Sequence, residues 1–167
     1  MTSLRRGTLI FGILAVLGYT AWFVYDKERI LAEGELVLFE LAPVDPRSLL
    51  QGDYMRLAYE IDAGLSRETL PPGGYLVYTL DDTGVARFRR IQSKLTPLRE
   101  AEGLIQFRRR RAGSIRNGTI RLGAESYFFE EGSGDRFARA QYGGMRIDGR
   151  GRAVLVGLWD EDRQLIR

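Results

Sequence analysis

A mainly β domain, an antiparallel barrel or sandwich with one or two short helices, is predicted to follow a single N-terminal transmembrane helix. Three observations predict it. Residues 8–25, TLIFGILAVLGYTAWFVY, form an uncharged apolar run of 18. Beyond it, short stretches rich in Val, Leu, Phe and Tyr alternate with turn signals, the mark of hairpin-connected strands and not of βαβ units. The length of 167 residues allows one compact domain behind such an anchor but not comfortably two.

At 1.5 Å per residue the apolar run nearly covers the ~30 Å hydrocarbon layer. Arg5 and Arg6 precede it, whereas the charges of Asp26, Lys27, Glu28 and Arg29 cancel. That bias puts the N-terminus (residues 1–7) in the cytoplasm and the domain outside. Tyr19, Trp22 and Tyr25 suit the headgroup layer at the far end. A cleaved signal peptide begins in the same way, but no Ala-x-Ala follows and cleavage after Gly18 would leave an apolar new terminus, so a retained anchor is expected. Residues 26–34 read as a juxtamembrane linker and 35–167 as the extracytoplasmic domain.

Strands are expected over residues 35–41, 54–61, 75–80, 85–91, 104–110, 119–122, 127–130, 145–147 and 153–159. Asp81-Asp82-Thr83-Gly84, Asn117-Gly118 and Asp148-Gly149-Arg150-Gly151 supply hairpin turns whose residues tolerate positive φ. One helical turn is expected between Asp45-Pro46 and Gly52, by cap preference. A second is expected over residues 134–141, with Ser133 as its cap and Phe137 and Ala140 on one side.

Composition removes many chemistries. The chain has neither cysteine nor histidine, which excludes disulfides, thiolate zinc sites, Cys- or His-based catalysis and a histidine pH switch. Lys27 and Lys94 are the sole lysines. The acidic turns Asp81-Asp82 and Asp160-Glu161-Asp162 lack calcium-loop spacing, and no glycine loop joins a strand to a long helix. No metal, cofactor or nucleic acid is expected. Residues 27–86 carry 5 basic and 11 acidic residues, net −6, and residues 87–167 carry 18 and 10, net +8. Mutual neutralisation is the first reading of that asymmetry. A basic face for anionic lipid or an acidic partner, centred on Arg108, Arg109, Arg110 and Arg111, is the second.

Gly52 to Tyr59 reads GDYMRLAY, which resembles the GDYXXLXY family of membrane-anchored bacterial proteins at every defining position. LAPVDPRSLLQ before it, YFFEEGSG at residues 127–134 and GRAVLVGL at residues 151–158 resemble that family's other blocks. The resemblance implies a single-pass inner-membrane protein with a β-rich periplasmic domain and no assigned reaction. It also suggests a multi-spanning membrane partner, and an anchored, shaped domain beside one is expected to serve as an accessory or ligand-binding subunit. The motif positions it marks are Gly52, Asp53, Tyr54, Arg56, Leu57, Tyr59, Tyr127, Glu131 and Gly132.

The residues allow a separate physical reading. On one strand, Met55, Leu57, Tyr59 and Ile61 share a face, expected to be the core, and Tyr54, Arg56, Ala58 and Glu60 share the other. Asp53 is expected to cap the Gly52 turn; an acid or base role beside Glu130 or Glu131 is the alternative. One of these glutamates could also reach inward to Arg56 or Arg136. Ser48 before Gly52-Asp53 allows a signal-peptidase-like serine hydrolase, but Phe88-Arg89-Arg90-Ile91 stands where its lysine base belongs. Arginine stays protonated, which leaves only Lys94. The sequence therefore supplies an anchor and a shaped domain without a catalytic set. A carboxylate-based or degenerate peptidase-like hydrolase is the alternative to the accessory subunit.

Overall fold

The computed structural model describes residues 2–42, 54–62, 65, 70–110 and 120–167. The expected Asp45 helix, the Asn117-Gly118 turn, Ser48, Gly52, Asp53 and Arg111 lie outside the described residues. The elements, in order, are α1 (Thr2–Glu33), β1 (Glu35–Glu40), β2 (Tyr54–Arg56), a 3-10 turn (Glu60–Asp62), β3 (Gly73–Leu80), β4 (Ala86–Gln92), β5 (Glu102–Arg109), β6 (Ile120–Arg121), β7 (Ser126–Phe128), α2 (Gly134–Phe137), β8 (Tyr142–Ile147) and β9 (Ala153–Trp159).

Helix α1 has 32 residues and is long and apolar enough to cross a membrane. The large apolar side chains from Leu9 to Tyr25 are exposed. The helix continues past the apolar run through Glu33, so residues 26–33, expected as linker, are its last two turns. Their charges suit a helix surface, since Arg29 bonds Glu33 at 2.8 Å, one turn on. Ile30 is fully buried against the domain, a contact that stabilises docking by about 2 kcal/mol. Arg152 Nη1 donates to both carboxylate oxygens of Asp26 at 2.6 Å, and Arg146 Nη1 donates to the Gly34 carbonyl at 2.7 Å. A side chain at position 34 would meet the Ile30 carbonyl at 2.5 Å, so only glycine lets the chain turn there directly into β1.

The domain is built from mainly antiparallel sheets: β1-β8-β9, the ribbon β2-β7, and β4-β3-β5-β6. No closed barrel forms among the described residues. Hairpin turns instead tie the sheets together. Leu38 N donates to the Gly84 carbonyl at 3.2 Å, and Gln106 N to the Gly151 carbonyl at 2.8 Å. Val37, Phe39, Leu76, Tyr78, Ile105, Phe107, Met145, Ile147 and Leu158 form the centre of the shared core. Phe39 sits edge-on to both Tyr59 and Tyr78, with centroids 6.2 and 5.6 Å away.

Three turns share one design. In each an aspartate side chain accepts the N–H groups two and four residues on: Asp81 from Thr83 and Val85, Asp148 from Arg150 and Arg152, Asp160 from Asp162 and Gln164. The fourth residue is left-handed, with φ of 79° at Gly84, 76° at Gly151 and 58° at Arg163. This is the type I turn with a bulge that joins short antiparallel strands. The first two were expected as hairpins, and the third was expected as a solvated acidic turn.

The second helix is shorter than expected, and Ser133 does not cap it. Its hydroxyl donates back to the Glu130 carbonyl at 2.6 Å, which binds the serine to the preceding turn. Phe137 is buried and Ala140 packs against the core, as their spacing implied.

Candidate functional site

The described part of the octad is an edge ribbon with two chemically distinct faces. Met55, Leu57 and Tyr59 are buried and Ile61 packs against the core, as the alternation predicted. Regular strand ends at Arg56, earlier than expected, because the next residues are shared between two neighbours. Leu57 N donates to the Glu125 carbonyl at 3.0 Å on one side, and Ala42 N donates to the Ala58 carbonyl at 2.8 Å on the other.

Tyr59 is the pin of this arrangement. Its hydroxyl donates to the Ala124 carbonyl. Burial, then the charge of Glu125, pushes its ionisation well above the usual tyrosine range, so it serves as a neutral donor. The Glu125 carboxylate in turn accepts from Leu122 N and, at 2.9 Å, Gly123 N.

The outward face carries Tyr54 and Arg56. Tyr54 is in register with Phe128, with ring centroids 5.7 Å apart. The Arg56 guanidinium stands 5.9 Å over the Tyr54 ring and donates to its hydroxyl at 3.3 Å. Arg56 therefore stacks on its own strand and does not meet Glu130 or Glu131. Both glutamates are exposed, with no ion pair among the described residues, which corrects the expected inward reach. Phe128 is 74% exposed, a large apolar side chain in water where its neighbours Tyr127 and Phe129 pack against Phe137.

Beside this face lies a groove of about 850 Å³ whose lining includes Gly73, Tyr75, Gln106, Arg108, Arg121 and Phe128. Arg108 and Arg121 are direct cross-strand partners. Like charges placed opposite each other on a sheet repel, and the nearest compensation for Arg121 is Glu125 at 3.9 Å. The other described arginines of the run are engaged: Arg109 donates to the Leu70 carbonyl at 2.7 Å and Arg110 to the Ile120 carbonyl at 3.1 Å. The run is thus divided between faces, as strand alternation requires. Elsewhere the two oppositely charged halves do pair, Arg87 with both Glu40 and Asp81.

Lys94 is exposed in the crossover from β4 to β5. Gly132 supplies a left-handed turn residue, with φ of 79°. Among the described residues no group of three or more acids converges as a metal site. Sequence reasoning named Tyr54 and Arg56 but missed Phe128, Arg108 opposite Arg121, and the groove. The arginines and the exposed aromatic come from separate strands, so only their pairing reveals them.

No curated protein and no solved structure matches the chain. The family model described as GDYXXLXY protein matches residues 16–158. With the octad, its buried Leu57 and Tyr59 and the later blocks all inside that match, the chain belongs to the GDYXXLXY family.

Proposed function

We propose that this chain is a single-pass accessory subunit of a bacterial inner-membrane complex, with its N-terminus cytoplasmic and its domain periplasmic. The observation that carries the reading is the direct junction between α1 and β1. An anchor that merely tethers needs a flexible joint, whereas here Ile30 and the Asp26–Arg152 pair hold the domain on the helix. The binding face is thereby kept at a fixed height above the bilayer, where an extramembrane segment of a multi-spanning protein is available.

The chemistry of that segment follows from the groove. A carboxylate between Arg108 and Arg121 relieves their repulsion through charge-assisted hydrogen bonds. Phe128 beside it supplies the apolar anchor that interface centres favour. The partner segment is accordingly acidic with an apolar side chain nearby.

The test is purification of the tagged full-length chain from its native membrane in mild detergent, with mass spectrometry of what copurifies and a reciprocal capture from the partner's side. Wild type should bring down one multi-spanning protein, while Phe128→Ala and Arg108→Glu should lose it with an unchanged circular dichroism spectrum. Recovery of the chain alone, or equal recovery of the partner by both variants, would overturn the proposal.

A further inference from the structure

A second cavity, of about 560 Å³, opens between the last turns of α1, the β4–β5 crossover and the β8–β9 turn. Its position relative to a membrane follows from the helix. Asp26, on its wall, is the first residue after the apolar run. The wall continues along α1 to Glu33, about 10 Å further at 1.5 Å per residue. The headgroup layer on each side of a bilayer is roughly 5–8 Å thick, so the membrane-proximal part of the cavity, from Asp26 onward, lies within it. Leu98, on the opposite wall, is 39% exposed, and Leu95 of the same crossover is 37% exposed. Two exposed leucines between Lys94 and Arg99 suit the boundary of headgroups and acyl chains.

Charge selects the occupant. Five carboxylates and three guanidinium groups line the cavity. Arg29 is paired with Glu33, Arg152 with Asp26 and Asp148, and Glu102 with Arg90 outside the lining. Among the described residues, Arg150 and Glu35 are left with charges that no side chain balances. One free cation and one free anion on a wall of net negative charge match a phosphate joined to a primary ammonium. They do not match a headgroup whose net charge is negative.

We infer that the cavity between α1 and the β8–β9 turn is a site for a bilayer phospholipid with a phosphoethanolamine headgroup, its phosphate on Arg150, its ammonium on Glu35 and its acyl chains beside Leu98. This inference rests on the membrane anchoring proposed above.

The test uses the full-length chain reconstituted in vesicles of equimolar phosphatidylethanolamine and phosphatidylglycerol, then re-extracted in mild detergent for mass spectrometry of the retained lipid. Alkaline carbonate extraction of the same vesicles is run first: release of the protein there refutes the anchoring itself. For anchored protein, retained lipid should favour phosphatidylethanolamine by about tenfold, the ratio that one charge-assisted hydrogen bond supplies. Arg150→Gln and Glu35→Gln, both substitutions of exposed side chains, should return the ratio to that of the vesicles. Since the chain has no cysteine, Leu98→Cys and Glu161→Cys each accept a single fluorophore. Glu161 follows the far end of β9, about 20 Å along the strand from Arg152. Lipid-borne quenchers should quench the label at 98 and spare the label at 161. Retained lipid of vesicle composition, enrichment of phosphatidylglycerol, or equal quenching at both positions would overturn the site.

Discussion

The Tyr59 hydroxyl donates to the carbonyl oxygen of Ala124, 65 positions later in the chain. The bond joins the end of the octad to the turn that connects β6 and β7, and it is buried. Removing the donor leaves a buried carbonyl without that partner. Tyr59→Phe should therefore destabilise the protein by about 1–3 kcal/mol while keeping the ring in the core. Denaturant unfolding of the full chain in detergent micelles checks this; an unchanged midpoint would show that the hydroxyl contributes nothing.

Arg163 stands where the two sister turns have glycine, at φ 58°. A side chain there carries the cost of the left-handed region. Arg163→Gly should raise stability by about 1 kcal/mol, reduced somewhat by the greater freedom of glycine in the unfolded chain. The reverse change, Gly84→Ala, should lower it, and thermal melts of the two variants should move in opposite directions.

Arg90 bonds the Glu102 carboxylate with two nitrogens and the Arg99 N–H adds a third bond at 2.8 Å, which holds the Glu102 pKa down at about 2 against an ordinary 4.5. A carboxylate depressed on folding gives stability that is complete above its unfolded pKa and is lost as pH falls through the folded one. Asp81 is held low by Thr83 first, then by backbone N–H groups and Arg87, and titrates in the same direction. Stability should fall between about pH 4.5 and pH 2, and Glu102→Gln should flatten part of that fall. Denaturation midpoints measured across this range would show whether the wild type and variant slopes differ.

Ile30 is the apolar contact that seats α1 on the sheet, beside the Asp26–Arg152 pair. Ile30→Ala should cost about 2–5 kcal/mol of that contact and expose the backbone of residues 26–34 to protease while the β domain stays folded. Limited proteolysis in micelles, with circular dichroism as control, decides it; equal resistance of variant and wild type would mean that the junction does not depend on Ile30.

Much of the domain was legible because its signals are local. Alternation placed Met55, Leu57 and Tyr59 inward, and Asp followed by Gly at the fourth position marked two hairpins. The third Asp turn was read only as a solvated acidic turn, because Arg163 takes the position where the other two have glycine. The extension of α1 escaped because Asp26 to Arg29 look like a loop when read without Arg152, the arginine of the β8–β9 turn that bonds Asp26. Ser133 has the right identity for a cap, but a competing carbonyl at Glu130 captures its hydroxyl. The groove is non-local altogether: Arg108 and Arg121 meet through strand register, and the exposure of Phe128 depends on which side of a three-residue ribbon is covered.

The linkerless junction makes the protein a lever. Membrane helices adjust to bilayer thickness by tilting, typically by about 20°, and a domain without a hinge must tilt with its anchor. At the Trp159 end of β9, about 20 Å from the junction at Arg152, a change of that size becomes a sideways excursion of about 7 Å. Under the proposed anchoring, bilayer thickness would enter the protein as an angle and leave it as a displacement large enough to make or break contact with a neighbour.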